Sequence, residues 1–221
     1  MTGKGETAVK FAFVFAVFAT AFAALIAIVA PASAQQTIID EWATIKTPPA
    51  PELKQVTVDP KTTALLLLDF VKQSCNMQRR PRCVASLPAT KTFLAEARAH
   101  HVLVVYSYVN SGTFADTLPE VAPKSGEPAV QSGADKFLDT DLEKILQDHG
   151  IKTVIVTGTA AHGAVLHTGD EAALRGFNVI VPVDGMSAED AFIERYVAYN
   201  FTHAPGVSPK TTLTRYSMIK F

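Results

Sequence analysis

Apolar β-type runs alternate with helical patterns along most of this chain. The runs are Ala64–Leu68, Val102–Tyr108, Ile151–Val156 and Asn178–Val183. Strands that are apolar along their length are buried on both faces. Parallel neighbours then need helical crossovers, which supply the two covering layers. The expected helices are Leu87–Ala99, Thr140–His149, Ala161–Arg175 and Ser187–His203. Gly150 and Gly176 end the second and third. Ser187 is the expected N-cap of the last, with Glu189 and Asp190 in its first turn. The fold class is therefore α/β, a three-layer α/β/α arrangement with a mainly parallel sheet.

The chain has 221 residues, enough for one domain with a sizeable core. Lys4 and Lys10 precede an apolar run, Phe11–Ala30, and Ala32-Ser33-Ala34 follows as a small-residue cleavage pattern. Residues 1–34 read as a signal peptide. The alternative is an uncleaved anchor, since the run is long enough to span a bilayer. Both place the folded part outside the cytoplasm, in the periplasm or secreted, and a membrane is a partner only if the segment stays uncleaved. Residues 35–60 read as an extended leader because Pro48, Pro49 and Pro51 restrict its backbone. Trp42 is expected to anchor that leader to the domain, 61–221.

The formal net charge is −1, with no long run of one sign. Nothing in that balance predicts a nucleic-acid partner or electrostatic membrane attachment, and no nucleic acid is expected. The two cysteines, Cys75 and Cys83, flank an Arg-rich loop. In an exported protein a disulfide is the default reading, with a reactive thiol or a metal pair as the alternatives. Arg79, Arg80 and Arg82 could attract an anion, but a solvated loop is the expectation.

In parallel α/β sheets, ligands bind beyond the carboxyl ends of the strands. That rule selects Asp69, after the first run, and Gly158–Ala164, after the third. A carboxylate at the end of a buried strand is costly unless paired or functional. Asp69 is thus either an ion-paired or capping residue, or a general acid/base. The small residues from Gly158 to Ala164 let a ligand approach the backbone, and helix N-terminal amides there can hold an oxyanion. Tight helix–strand packing would select the same small residues. Phe70, Gly158, Ala160, Ala161, His162 and Gly163 are the expected substrate-lining residues. His167, five residues after His162, points elsewhere, and the pair is a poor metal site. No metal and no cofactor is expected. The Gly-, Pro- and Ser-bearing stretch Asn110–Asp135 reads as a long active-site loop. Asp184 is expected to be structural, as a cap for the last helix.

Several motifs resemble the isochorismatase-like (cysteine hydrolase) family. Ala64-Leu65-Leu66-Leu67-Leu68-Asp69 resembles its first strand, which ends in Asp. Phe137-Leu138-Asp139-Thr140-Asp141-Leu142 resembles its F-x-x-T-x-L helix start. Gly158–Ala172, Arg175-Gly176-Phe177 and Val179–Asp184 resemble its third strand, nucleophile helix and fourth strand. The resemblance implies a triad of Asp, Lys and Cys, in which the Asp activates a thiol that attacks an amide or related carbon. Carried over, the Asp falls on Asp69 and the Cys on Ala164. The Lys falls on Gln131, with Lys136 close by as a substitute. Thioester chemistry is excluded at position 164. One branch of the family, the isochorismatases proper, is implied to work without the thiol, its Asp protonating a vinyl ether. Ala161-His162-Gly163-Ala164 is similar to that branch. The expected function is an exported hydrolase of a small molecule, with Asp69, Gln131, Lys136 and Ala164 at the centre. The alternative is a non-catalytic binding or scaffold protein on the same fold. The resemblance also implies a homo-oligomer, for which no seam is legible.

Overall fold

The computed structural model describes residues 36–221, so the expected signal segment lies outside the described residues. The described chain divides after Pro48. Residues 36–48 hold one α-helical turn, α1 (Ile38–Glu41), followed by a 3-10 turn, Trp42–Thr44; α1 is started by Thr37, whose amide and hydroxyl both donate to Asp40 Oδ2. Trp42 is 70% exposed. The body runs from Pro49 to Phe221. Its first residues are part of the fold and not a leader up to 60. Lys54 N donates to the Leu213 carbonyl, and β1 (Val56–Thr57) pairs in parallel with β9 (Ile219–Lys220).

The main sheet contains β2 (Thr63–Leu68), β3 (Leu103–Tyr108), β4 (Ala129–Gln131), β5 (Thr153–Thr159), β6 (Asn178–Pro182) and β8 (Thr211–Thr214). Their order is β4-β3-β2-β5-β6-β8, all parallel. β7 (Met186–Ser187) pairs with the last two residues of β5, beyond the reach of β6. Every residue of β2 is buried. Its alternate side chains serve different layers. Ala64, Leu66 and Leu68 pack with α3 (Leu142–Asp148), α4 (Leu166–Leu174) and α5 (Ala191–His203) through Leu146, Ala172, Val197 and Phe201. Leu65 and Leu67 pack with α2 (Pro81–Ala99) through Leu87, Phe93 and Leu94. Each such leucine contributes about 1.5–3 kcal/mol by leaving water. The expected three-layer, mainly parallel architecture is what the chain adopts.

Several boundaries differ for local reasons. α2 begins six residues earlier than its composition suggests. Pro81 sits at its first position, where a missing N–H costs nothing. Ser187 does not cap α5; it is the second residue of β7, and Asp190 accepts from Ile193 N instead. Asp184 caps no helix, because its carboxylate accepts from Tyr216 N. The stretch 110–135 is not one open loop, since β4 extends the sheet within it.

Candidate functional site

The ends of β2, β3 and β5 set the floor of the site. Leu68 is in register with both Ser107 and Gly158. Strict alternation would turn Asp69 toward the α2 layer with Leu65 and Leu67. Instead Asp69 has φ 56°, a left-handed conformation, and its Oδ1 accepts from Ser107 Oγ at 2.8 Å. Gly158 permits the close approach of β5, for a Cβ there would lie 2.2 Å from the Leu68 carbonyl oxygen. β5 then passes through Ala160 into a wide helical turn, Ala161–Val165, which leads directly into α4.

Lys136 completes the floor. Its side chain is fully buried, and its Nζ donates to Asp69 Oδ2 at 2.9 Å, the Ser132 carbonyl at 3.1 Å and the Gly133 carbonyl at 2.6 Å. Those three bonds use all three donors of an ammonium group. The backbone of Lys136 is fixed as well. Its amide donates to Thr168 Oγ1 on α4, and its carbonyl accepts from Thr140 Oγ1. Thr140 Oγ1 in turn accepts from Leu142 N, while Phe137 and Leu142 are buried. The F-x-x-T-x-L pattern therefore has a physical role, which is to dock the residue before Phe137 against the strand ends.

Gln131, the other position expected to hold this role, lies elsewhere. It is exposed at the end of β4, and its amide nitrogen ties down the Val109, Asn110 and Gly112 carbonyls. Phe70 is also removed from the lining, being 2% exposed in the core layer beside α2. Ala161 and Ala164 are buried in the same core layer as Leu68, and Gly163 is half-buried. His162 is 43% exposed, with Nδ1 at 3.9 Å from Glu189 Oε2. His167 is exposed, as expected from its place on the helix.

Burial pushes the Asp69 carboxyl above the ordinary carboxylate range, against the opposing pull of the Lys136 ammonium, the Ser107 hydroxyl and the Arg80 charge. Both carboxyl oxygens accept hydrogen bonds from donors, the arrangement of an ionised group. The site thus holds a carboxylate that is charged at rest and a stronger base than a surface aspartate. Asp69 and Ala164 are each 3% exposed, so the floor is nearly closed to solvent. An apolar groove of about 340 Å³ lies outside this floor, near Leu53, Met186 and Leu213. Its carboxylate, Glu194, is engaged by Arg82, so the groove offers no comparable acid–base pair.

Both cysteines of the chain are joined, Cys75 to Cys83, as expected. Among the described residues no group of three or more His, Cys, Asp or Glu could hold a metal ion, and no helix is long and apolar enough to cross a membrane. The solvated reading of the arginine cluster fails at one position. Arg79 and Arg82 are exposed, but Arg80 is 6% exposed and salt-bridged to Glu189. Neither composition nor spacing separates these three arginines.

The model of the Isochorismatase domain matches residues 63–203. A secreted isochorismatase effector of Verticillium dahliae is 30% identical over 117 residues, 48% of this chain and 62% of that protein. An N-carbamoylsarcosine amidase of an Arthrobacter species is 41% identical over 63 residues, 28% of this chain and 24% of that protein. The chain thus spans less than two thirds of either curated relative. Among solved structures, a cysteine hydrolase from Pseudomonas syringae superposes with a TM-score of 0.66 at 19% identity, over 76% of this chain and 94% of that one. An N-carbamoylsarcosine amidase from Thermoplasma acidophilum superposes with a TM-score of 0.61 at 21% identity, over 70% and 96%. These two likenesses concern the fold.

Proposed function

The chain belongs to the isochorismatase family, and from that premise we propose that it is an exported hydrolase of a small molecule, working without a cysteine nucleophile and using Asp69 as general acid and base. The observation that carries this reading is the buried Asp69 carboxylate, held by Lys136 and Ser107 at the strand ends where Leu68 pairs with Gly158, shortly before β5 leads into the turn that bears Ala164. Ala164 stands where the family resemblance puts the thiol, and the only two sulfhydryls of the chain are spent in a bridge.

Without a thiol the nucleophile is water. The ionised Asp69 takes a proton from that water as its oxygen bonds to the electrophilic carbon. The carbon–oxygen π electrons move onto the substrate oxygen, where amides at the start of the Ala161 turn would offset the charge. Collapse re-forms the carbonyl and breaks the bond to the leaving group, which receives the proton from Asp69. Lys136 and Ser107 position the carboxyl and do not exchange protons in this scheme. No metal or cofactor is invoked. The secreted relative and the disulfide support an extracytoplasmic setting, periplasmic or fully secreted.

The test is a screen of the purified protein against amides, N-carbamoyl compounds and vinyl ethers, repeated with Asp69→Asn. Turnover that disappears in the variant is the expected result. Absence of turnover in the whole panel, or turnover unchanged by Asp69→Asn, overturns the proposal. The second reading, a small-molecule-binding or scaffold protein on the same fold, draws on the near-complete burial of Asp69 and Ala164. It gains if ligands bind but none is converted.

A further inference from the structure

Arg80 breaks two local rules at once. It is an arginine at the N-cap of α2, where short polar or acidic residues are favoured and where the helix dipole repels a cation. It is also among the few buried charged residues, at 6% exposure. Its Nη1 donates to the Ser74 carbonyl at 3.1 Å and its Nη2 meets Glu189 Oε1 at 2.8 Å. Its Nε is buried and has no hydrogen-bond partner, and neither has Ser187 Oγ, two residues before Glu189. The Cys75–Cys83 bridge closes the loop that presents Arg80. Glu189, the partner of Arg80, also faces His162 at 3.9 Å, and His162 belongs to the Ala161–Val165 turn. The guanidinium therefore lies beside the proposed reaction site, not on a remote surface.

The two partners of this ion pair are unequal. The Arg80 side chain is 8% exposed and Glu189 is 39% exposed. The cation is fixed and desolvated, whereas the carboxylate is half in water and can leave at little cost. We propose that Arg80 is the anchor for a negatively charged group, a carboxylate, on the substrate, and that Glu189 holds its place until the substrate displaces it. A substrate carboxylate would take over the Nη2 bond and add the unpartnered Nε, a side-on pair of charge-assisted hydrogen bonds. His162, next to Glu189, would meet the displaced side chain. This inference rests on the reading of Asp69 as the centre of a small-molecule hydrolase and names the substrate class as anionic.

Isothermal titration at neutral pH with N-carbamoylglycine and with its neutral methyl ester tests it. The wild-type chain should bind the carboxylate about tenfold more tightly, the worth of one charge-assisted hydrogen bond. Arg80→Lys, which keeps the charge but loses the fork, should remove most of that preference. Glu189→Gln, at a half-exposed site, should tighten the carboxylate and leave the ester unchanged. Equal affinities in the wild type, no binding of either probe, or a Glu189→Gln variant that binds the carboxylate no better would overturn the proposal. Asp69→Asn separates the two readings. If it abolishes turnover while the preference for the carboxylate persists, both stand. If turnover is lost and no preference exists, only the anion anchor fails.

Discussion

Asp69 carries more of this protein than any other single residue, because three forces meet on its carboxyl. Burial favours the neutral form, while Lys136 and Ser107 favour the ionised one, and burial prevails far enough to leave the group above the ordinary value of 3.8. The direction fixes a pH profile. If the ionised form accepts a proton from water, kcat/KM falls as pH is lowered through this raised value. Asp69→Asn should abolish that limb. A profile that instead declines as pH rises through the same value would assign Asp69 as a proton donor to a vinyl ether. Lys136 has a different signature. Lys136→Met leaves an uncompensated carboxylate in a closed site, so unfolding by urea should show a loss of about 3–5 kcal/mol. A loss near zero would mean that the ion pair is dispensable for folding.

At the scale of elements, the turn from β2 into α2 is where the fold presents Arg80. This segment is stapled by Cys75–Cys83, with a separation of eight residues. Closing so short a loop removes unfolded-state entropy worth about 2–3 kcal/mol. Reduction, or Cys75→Ala with Cys83→Ala, should lower stability by that amount and loosen Arg80 before it disturbs Asp69. The measurement is equilibrium unfolding with and without reductant; identical midpoints would mean that the bridge adds nothing to stability. Packing between α4 and α5 relies on a second feature. A Cβ on Gly169 would meet the Phe201 ring at 2.6 Å, so the helices approach only because this position is bare. Helical periodicity does not expose this second dependence, since it is a distance between two helices.

At the scale of the whole molecule, the body begins at Pro49. A truncation that removes residues up to Pro48 is the reference for that boundary. Removing residues up to Pro60 deletes the β1–β9 pairing and the buried Val58, a loss of about 2–3 kcal/mol. For a body of this size that is a fall of about 5–10 °C in Tm. Differential scanning of the two truncations checks the boundary, and equal midpoints would return residues 49–60 to the status of a leader.

What could be read from residue order was whatever depends on local pattern. Continuous apolar runs dictate strands buried on both faces, and the helical segments between them dictate a parallel sheet with two covering layers. A carboxylate ending the first run, and small residues ending the third, mark the ligand edge by the same logic. Short strands such as Ala129–Gln131 and Thr211–Thr214 carry too few apolar positions to stand out from loops. Only the tertiary structure could choose Lys136 over Gln131, because its amine reaches Asp69 through a backbone held by Thr140, in the bend before α3, and by Thr168 on α4. Only it could single out Arg80 from its neighbours. Burial and pairing belong to the space between elements, and that space is not written in the order of residues within any one of them.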